Sequence, residues 1–213
     1  MLHLWGQTDA ANEFRSILSQ NLEVAAVGLN YTFASLTPPD DPLWKAIQAY
    51  LEDVKERDDN TGPFVIHGDF WTGNILVAPT PAGELRMKVV DWEASNCRNI
   101  LWNDLGQMCS EMYQPAIFGH VTEEKGRKLV SSFLDAYQQR RSPTQEEVRM
   151  AVVRCGVHMV VWPGLTGWGD EASVAACKAL GRAYADKGWN CDWRWIKESM
   201  FGVLVQDSWL KSV

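Results

Sequence analysis

The feature that most constrains this chain is an interruption. Residues 64–66 (Phe-Val-Ile) and 75–78 (Ile-Leu-Val-Ala) are short apolar runs of the kind that form strands. Between them lie His67, Gly68, Asp69, Phe70, Trp71, Thr72, Gly73 and Asn74. A third run, residues 87–90 (Met-Lys-Val-Val), stops in the same way, at Asp91-Trp92-Glu93. Strands that end in carboxylates carry them to a rim, which is where sites are usually built. The turn signal Pro79-Thr80-Pro81-Ala82-Gly83 joins the second and third runs into a hairpin.

The rest of the chain reads as helix. Residues 10–28 form a helix, or a strand over 22–29. Asp41 is placed to cap a helix with Pro42 at its first position, and Leu43, Ile47, Tyr50, Leu51 and Val54 fall on one face. A polar loop over residues 55–62 follows. Residues 122–141 carry an apolar stripe behind an acidic first turn. Ser142-Pro143-Thr144-Gln145 has the form of a capping box opening a helix towards Trp162. Residues 163–169 break it, Asp170 caps the next helix, and a last one starts at residues 188–192 and runs through Leu204. There is no repeat or linker. The fold class expected is α+β, mostly helical, a single domain over 1–213 with a small β insert.

If the two interrupted strands are neighbours, Asp69, Asn74 and Asp91 converge. Two carboxylates and a carboxamide oxygen are hard donors suited to Mg²⁺, which commonly keeps waters and shares substrate phosphates. A carboxylate left over from the metal can take a proton from a hydroxyl. Taken singly these residues are ordinary: Asp69 and Asn74 suit turns, and His67 suits a satisfied buried histidine. Only as a set do they point to chemistry. Glu93 is either a carboxylate near the substrate or simply exposed. Trp71 and Trp92 flank the set, as core packing or as faces for a substrate.

His67-Gly68-Asp69-Phe70-Trp71-Thr72-Gly73-Asn74 fits H-x-D-x-x-x-x-N, the catalytic-loop spacing of protein kinases. With Gly after His, a strand after Asn, Asp91-Trp92-Glu93 downstream and Asp104-Leu105-Gly106 beyond, residues 60–110 resemble the aminoglycoside phosphotransferase/choline kinase family. The resemblance implies a protein-kinase-like large C-terminal lobe and ATP-dependent transfer of phosphate to a hydroxyl of a small molecule. It implies that Asp69 is catalytic, orienting or deprotonating the acceptor. Asn74 and Asp91 would be the Mg²⁺ ligands on the nucleotide phosphates, His67 would brace the loop, and Asp104 would accept backbone N–H bonds from it.

The family's small lobe supplies a Gly-rich loop, a strand Lys and a Glu partner. No G-x-G-x-x-G occurs, and the first Lys, Lys45, already lies in a helix. The expectation is therefore a large lobe without its small N-lobe, whose exposed face is covered by another chain or by self-association. A non-catalytic binding or scaffolding module with a lost nucleotide site is the alternative; a lobe reused for nucleotide-free chemistry is a third. Twenty Lys and Arg against 27 Asp and Glu give a net charge of −7, with no basic block, which argues against nucleic acid. Five widely spaced cysteines without a CxxC pair read as reduced thiols. With no signal peptide at the start and apolar runs short of a membrane span, the expected location is cytoplasmic.

Overall fold

In the computed structural model the described residues are 38, 40–57, 64–97 and 100–211. The reading of residues 10–28 lies outside them, as does most of the loop at 55–62. Among the described residues the chain is mostly helical, as its patterning implies, with one antiparallel sheet of two strands where three were expected.

Helix α1 (Pro42–Arg57) starts where the Asp-Pro pair puts it. Asp41 Oδ1 accepts from Leu43 N at 2.9 Å and Trp44 N at 3.4 Å, filling donors that a helix start leaves open. Trp44 and Ile47 face the core. Arg182 pairs with Asp41, which holds that carboxyl below its usual range, and lies 5.0 Å over the Trp44 ring.

Strands β1 (Ile75–Pro79) and β2 (Leu85–Val89) form the expected hairpin, with Ile75 opposite Val89, Val77 opposite Met87 and Pro79 opposite Leu85. Alternation puts these six apolar residues on one face, and Leu85 and Met87 there are 70% and 71% exposed. Residues 64–66 do not form the third strand expected of them. Only Ile66 pairs, in an isolated bridge with Asn96, because Gly68 at φ 84° turns the chain away two residues later.

Helices α2 (Leu101–Ile117), α3 (Glu123–Arg140), α4 (Gln145–Val161) and α6 (Glu171–Trp189) build the core, with α4 packed between α2 and α6. Val148, Met150–Val153, Cys155, Val157 and Met159–Val161 of α4 are all buried, which explains its apolar run on every side. By length and composition the stretch Gln145–Thr166 would pass for a membrane span, yet 78% of its apolar window is buried inside the fold. Close approach of the helices depends on glycine. A Cβ on Gly106 would lie 2.5 Å from Ala151 O, and one on Gly156 would lie 2.4 Å from Gly181 O.

Three helix ends differ from the sequence reading. The capping box of α4 is Thr144–Glu147, not Ser142–Gln145: Thr144 Oγ1 accepts from Glu147 N, and Glu147 Oε2 from Thr144 N. The later register wins because Glu147 also takes a two-pronged ion pair from Arg141. Trp162 keeps helical dihedrals, so a one-turn helix α5 (Pro163–Thr166) follows directly, and the break comes at left-handed Gly167. Asp170 caps α6 through Ser173 N, as expected. The last helix, α7 (Trp193–Glu198), is shorter than expected. It gives way to a tight turn in which a Cβ on Gly202 would sit 2.1 Å from Lys197 O.

Candidate active site

The loop after Ile66 is pinned from below. Asp104, in the first turn of α2, accepts from His67 N at 2.6 Å and Gly68 N at 3.0 Å. These are the bonds expected of it, and a carboxylate at a helix start is also favoured by the helix dipole. Burial pushes the Asp104 carboxyl up, against the two N–H bonds that favour its charged form. Gly68 is required twice over: its φ is 84°, and a Cβ would lie 2.1 Å from Ala94 O.

His67 is a brace. Its Nε2 is 2.8 Å from Val90 O and its Nδ1 accepts from Asp69 N at 3.3 Å. Only the neutral ring with its proton on Nε2 satisfies both. The ring contacts Trp92 at 4.7 Å between centroids and Phe70 at 5.8 Å. Trp92, 49% exposed, thus covers the histidine, while the Trp71 ring lies over Gly73.

The brace aims Asp69. Its Oδ1 accepts from Gln107 Nε2 at 2.8 Å, and its Oδ2 lies 3.4 Å from Asn74 Nδ2. Asn74 Nδ2 also donates to Asp69 O at 3.0 Å, closing the loop through the tight turn Thr72–Asn74. Val90 N then donates to Asn74 O at 3.0 Å, extending the hairpin ladder by one pair, and Asp91 follows directly. Asp69 and Asn74 are therefore in contact, and Asp91 adjoins Asn74's backbone partner. Among the described residues no hydrogen bond joins the Asp91 side chain to either. Asp91 is exposed and left-handed, with φ 64° and ψ 59°, a conformation uncommon outside glycine and concentrated at functional sites. Glu93 is exposed.

For a divalent ion the donors at this rim are oxygens. Asn74 spends its Nδ2 on Asp69, and no donor among the described residues is paired with its Oδ1. The Asp91 carboxylate makes no capping bond. No group of three His, Cys, Asp or Glu side chains forms a metal cage among the described residues. One carboxylate and one carboxamide oxygen fit Mg²⁺ shared with phosphates, not an all-protein site.

Sequence reasoning missed the polar layer beneath Asp69. Asn103, Gln107 and Glu111 recur every four residues on α2 and meet Arg154 and His158, four apart on α4; all five are buried. Arg154 donates to Gln107 Oε1 at 3.0 Å and to Asn103 Oδ1 at 2.8 Å, and its Nη1 lies 3.5 Å from His158 Nδ1. His158 Nε2 lies 2.5 Å from Glu111 Oε1, and among the described residues Glu111 Oε2 has no partner. Burial, with Asp69 nearby, pushes the Glu111 carboxyl up to about 7. Burial, with Arg154 alongside, holds His158 well below its ordinary value. Burial pushes Arg154 down to about 10, leaving it charged at neutral pH. The signal was there in two i, i+4 polar spacings, one of them inside the apolar run of α4. Four of the five cysteines are buried.

No protein-family model matches the chain, and no curated protein matches it.

Proposed function

We propose that this chain is the large lobe of a small-molecule phosphotransferase of protein-kinase-like architecture, using Mg·ATP and completed by a small lobe from elsewhere. The observation that carries the reading is the convergence of Asp69 and Asn74, in hydrogen-bond contact, on the strand end that presents Asp91. In this reading the acceptor hydroxyl sits against Asp69. Its oxygen forms a bond to the γ-phosphorus, the bond from that phosphorus to the ADP oxygen breaks, and the hydroxyl proton passes to the Asp69 carboxylate. Oδ2 is the oxygen for that proton, because Oδ1 holds the shorter bond to Gln107. Asn74 Oδ1 and Asp91 would hold Mg²⁺. When bound, the ion would offset the negative charge that develops during phosphate transfer.

The hairpin supports a second reading, a non-catalytic scaffolding module. Its exposed apolar face, Val77, Pro79, Leu85 and Met87, needs a cover whether or not the partner brings a nucleotide site. Turnover discriminates the two. Even without its small lobe, the purified chain, assayed with Mg·ATP against a panel of hydroxylated amines and sugars, is expected to form ADP and a phosphate ester slowly. Asp69→Asn should lower that rate by at least about 100-fold while Mg·ATP binding persists. A folded chain that neither binds Mg·ATP nor turns it over leaves the scaffolding reading.

A further inference from the structure

Asp69 is held by a carboxamide, and a carboxamide can present either end. Gln107 could turn an oxygen towards Asp69 and repel it, or an N–H and bind it; the neighbour on its other side decides which. That neighbour is Arg154, which carries five donors and no acceptor. Its Nη2 occupies Gln107 Oε1 at 3.0 Å, which turns Gln107 Nε2 to Asp69 Oδ1 at 2.8 Å. The same guanidinium orients a second carboxamide. Its Nε occupies Asn103 Oδ1 at 2.8 Å, which turns Asn103 Nδ2 towards Gly68 O and Asp104 Oδ1, both at 3.5 Å.

We propose that Gln107 is a positioning residue for the Asp69 carboxylate, and that Arg154 acts through Gln107 and Asn103 to set the polarity of the layer beneath the loop. The geometry requires close helices. Asn103 and Gln107 flank Gly106, where α2 passes close to Arg154: a Cβ there would lie 2.7 Å from Arg154 Cβ. The far edge of the guanidinium rests on His158, so the arginine is fixed from both sides. Lysine could not replace it, because a single ammonium lacks the planar fork that reaches two carboxamides at once. The inference rests on the phosphotransfer reading for what Asp69 does, and on geometry alone for how Asp69 is held.

The test reads the two carboxamides directly. In ¹⁵N-labelled protein the side-chain NH₂ pairs of Gln107 and Asn103 are assigned by their loss in Gln107→Leu and Asn103→Leu. Both pairs should exchange slowly with solvent in the unaltered chain. Asp69→Asn should shift the Gln107 pair and leave that of Asn103 in place, whereas Arg154→Met should speed exchange of both. In the phosphotransfer assay Gln107→Leu should lower kcat about 100-fold with KM for Mg·ATP unchanged. A Gln107 pair that does not respond to Asp69→Asn overturns the proposal, as does a Gln107→Leu variant that keeps full kcat. Should Arg154→Met fail to fold, the half-exposed position 69 still decides the matter. Should the unaltered chain transfer no phosphate, the functional reading fails while the resonances still show whether Gln107 holds Asp69.

Discussion

Asp104→Ala is expected to lower the unfolding free energy by about 3–5 kcal/mol, measured by urea denaturation. The carboxylate takes two backbone N–H groups, from His67 and Gly68. Hydrogen bonds to a charged acceptor contribute roughly 1.5–3 kcal/mol each, and truncation leaves both donors without a partner. Asp104→Asn keeps one acceptor oxygen and should lose about half as much. A loss under about 1 kcal/mol for the alanine variant would mean that the loop is held by something other than α2.

The buried pair Glu111 and His158 should give two variants with opposite pH dependence. Glu111 has its carboxyl raised to about 7 in the folded chain, so it favours folding below its ordinary 4.5, and that contribution is lost as pH rises through about 7. His158 is depressed in the folded chain, so its contribution is present above 6.5 and is lost as pH falls below that. Together they cancel. Between about pH 4.5 and 6.5 the unfolded chain carries one proton on His158 and the folded chain carries one on Glu111. His158→Phe removes the histidine's contribution and leaves the glutamate's, so stability relative to the parent should fall as pH rises from 4.5 to 6.5. Glu111→Gln leaves the histidine alone, and relative stability should fall as pH drops from 7 to 5. The charged groups acting on the pair, Arg154 and Asp69, are common to parent and variants and largely drop out of the differences. Parallel pH profiles for the two variants would show that no proton moves from His158 to Glu111 on folding.

Much of the loop was legible because its signals are local. Gly68 and Gly83 sit at positive φ, where a turn demands glycine, and the apolar run of β1 alternates faces against β2. Asp41 and Asp170 cap helices as short polar residues before apolar stripes should. The capping box of α4 was misplaced by two residues because two candidate boxes overlap there. The choice between them lies with Arg141, whose bond to Glu147 no cap pattern contains. Residues 64–66 have strand composition, but a strand needs a neighbour along its length, and only Ile66 finds one. The layer of Gln107, Arg154 and His158 depends on which faces of α2 and α4 meet, a fact of tertiary packing. Its donors and acceptors pair over 47 and 51 residues of sequence.

The most direct test of the account is paramagnetic broadening by Mn²⁺ in the presence of ATP. Mn²⁺ accepts the same hard oxygen donors as Mg²⁺. The account predicts selective loss of the amide signals of Asp69, Asn74 and Asp91, with α6 and α7 unaffected, and recovery of those signals in Asp91→Ala. Broadening centred elsewhere, or the same broadening in Asp91→Ala, would contradict it.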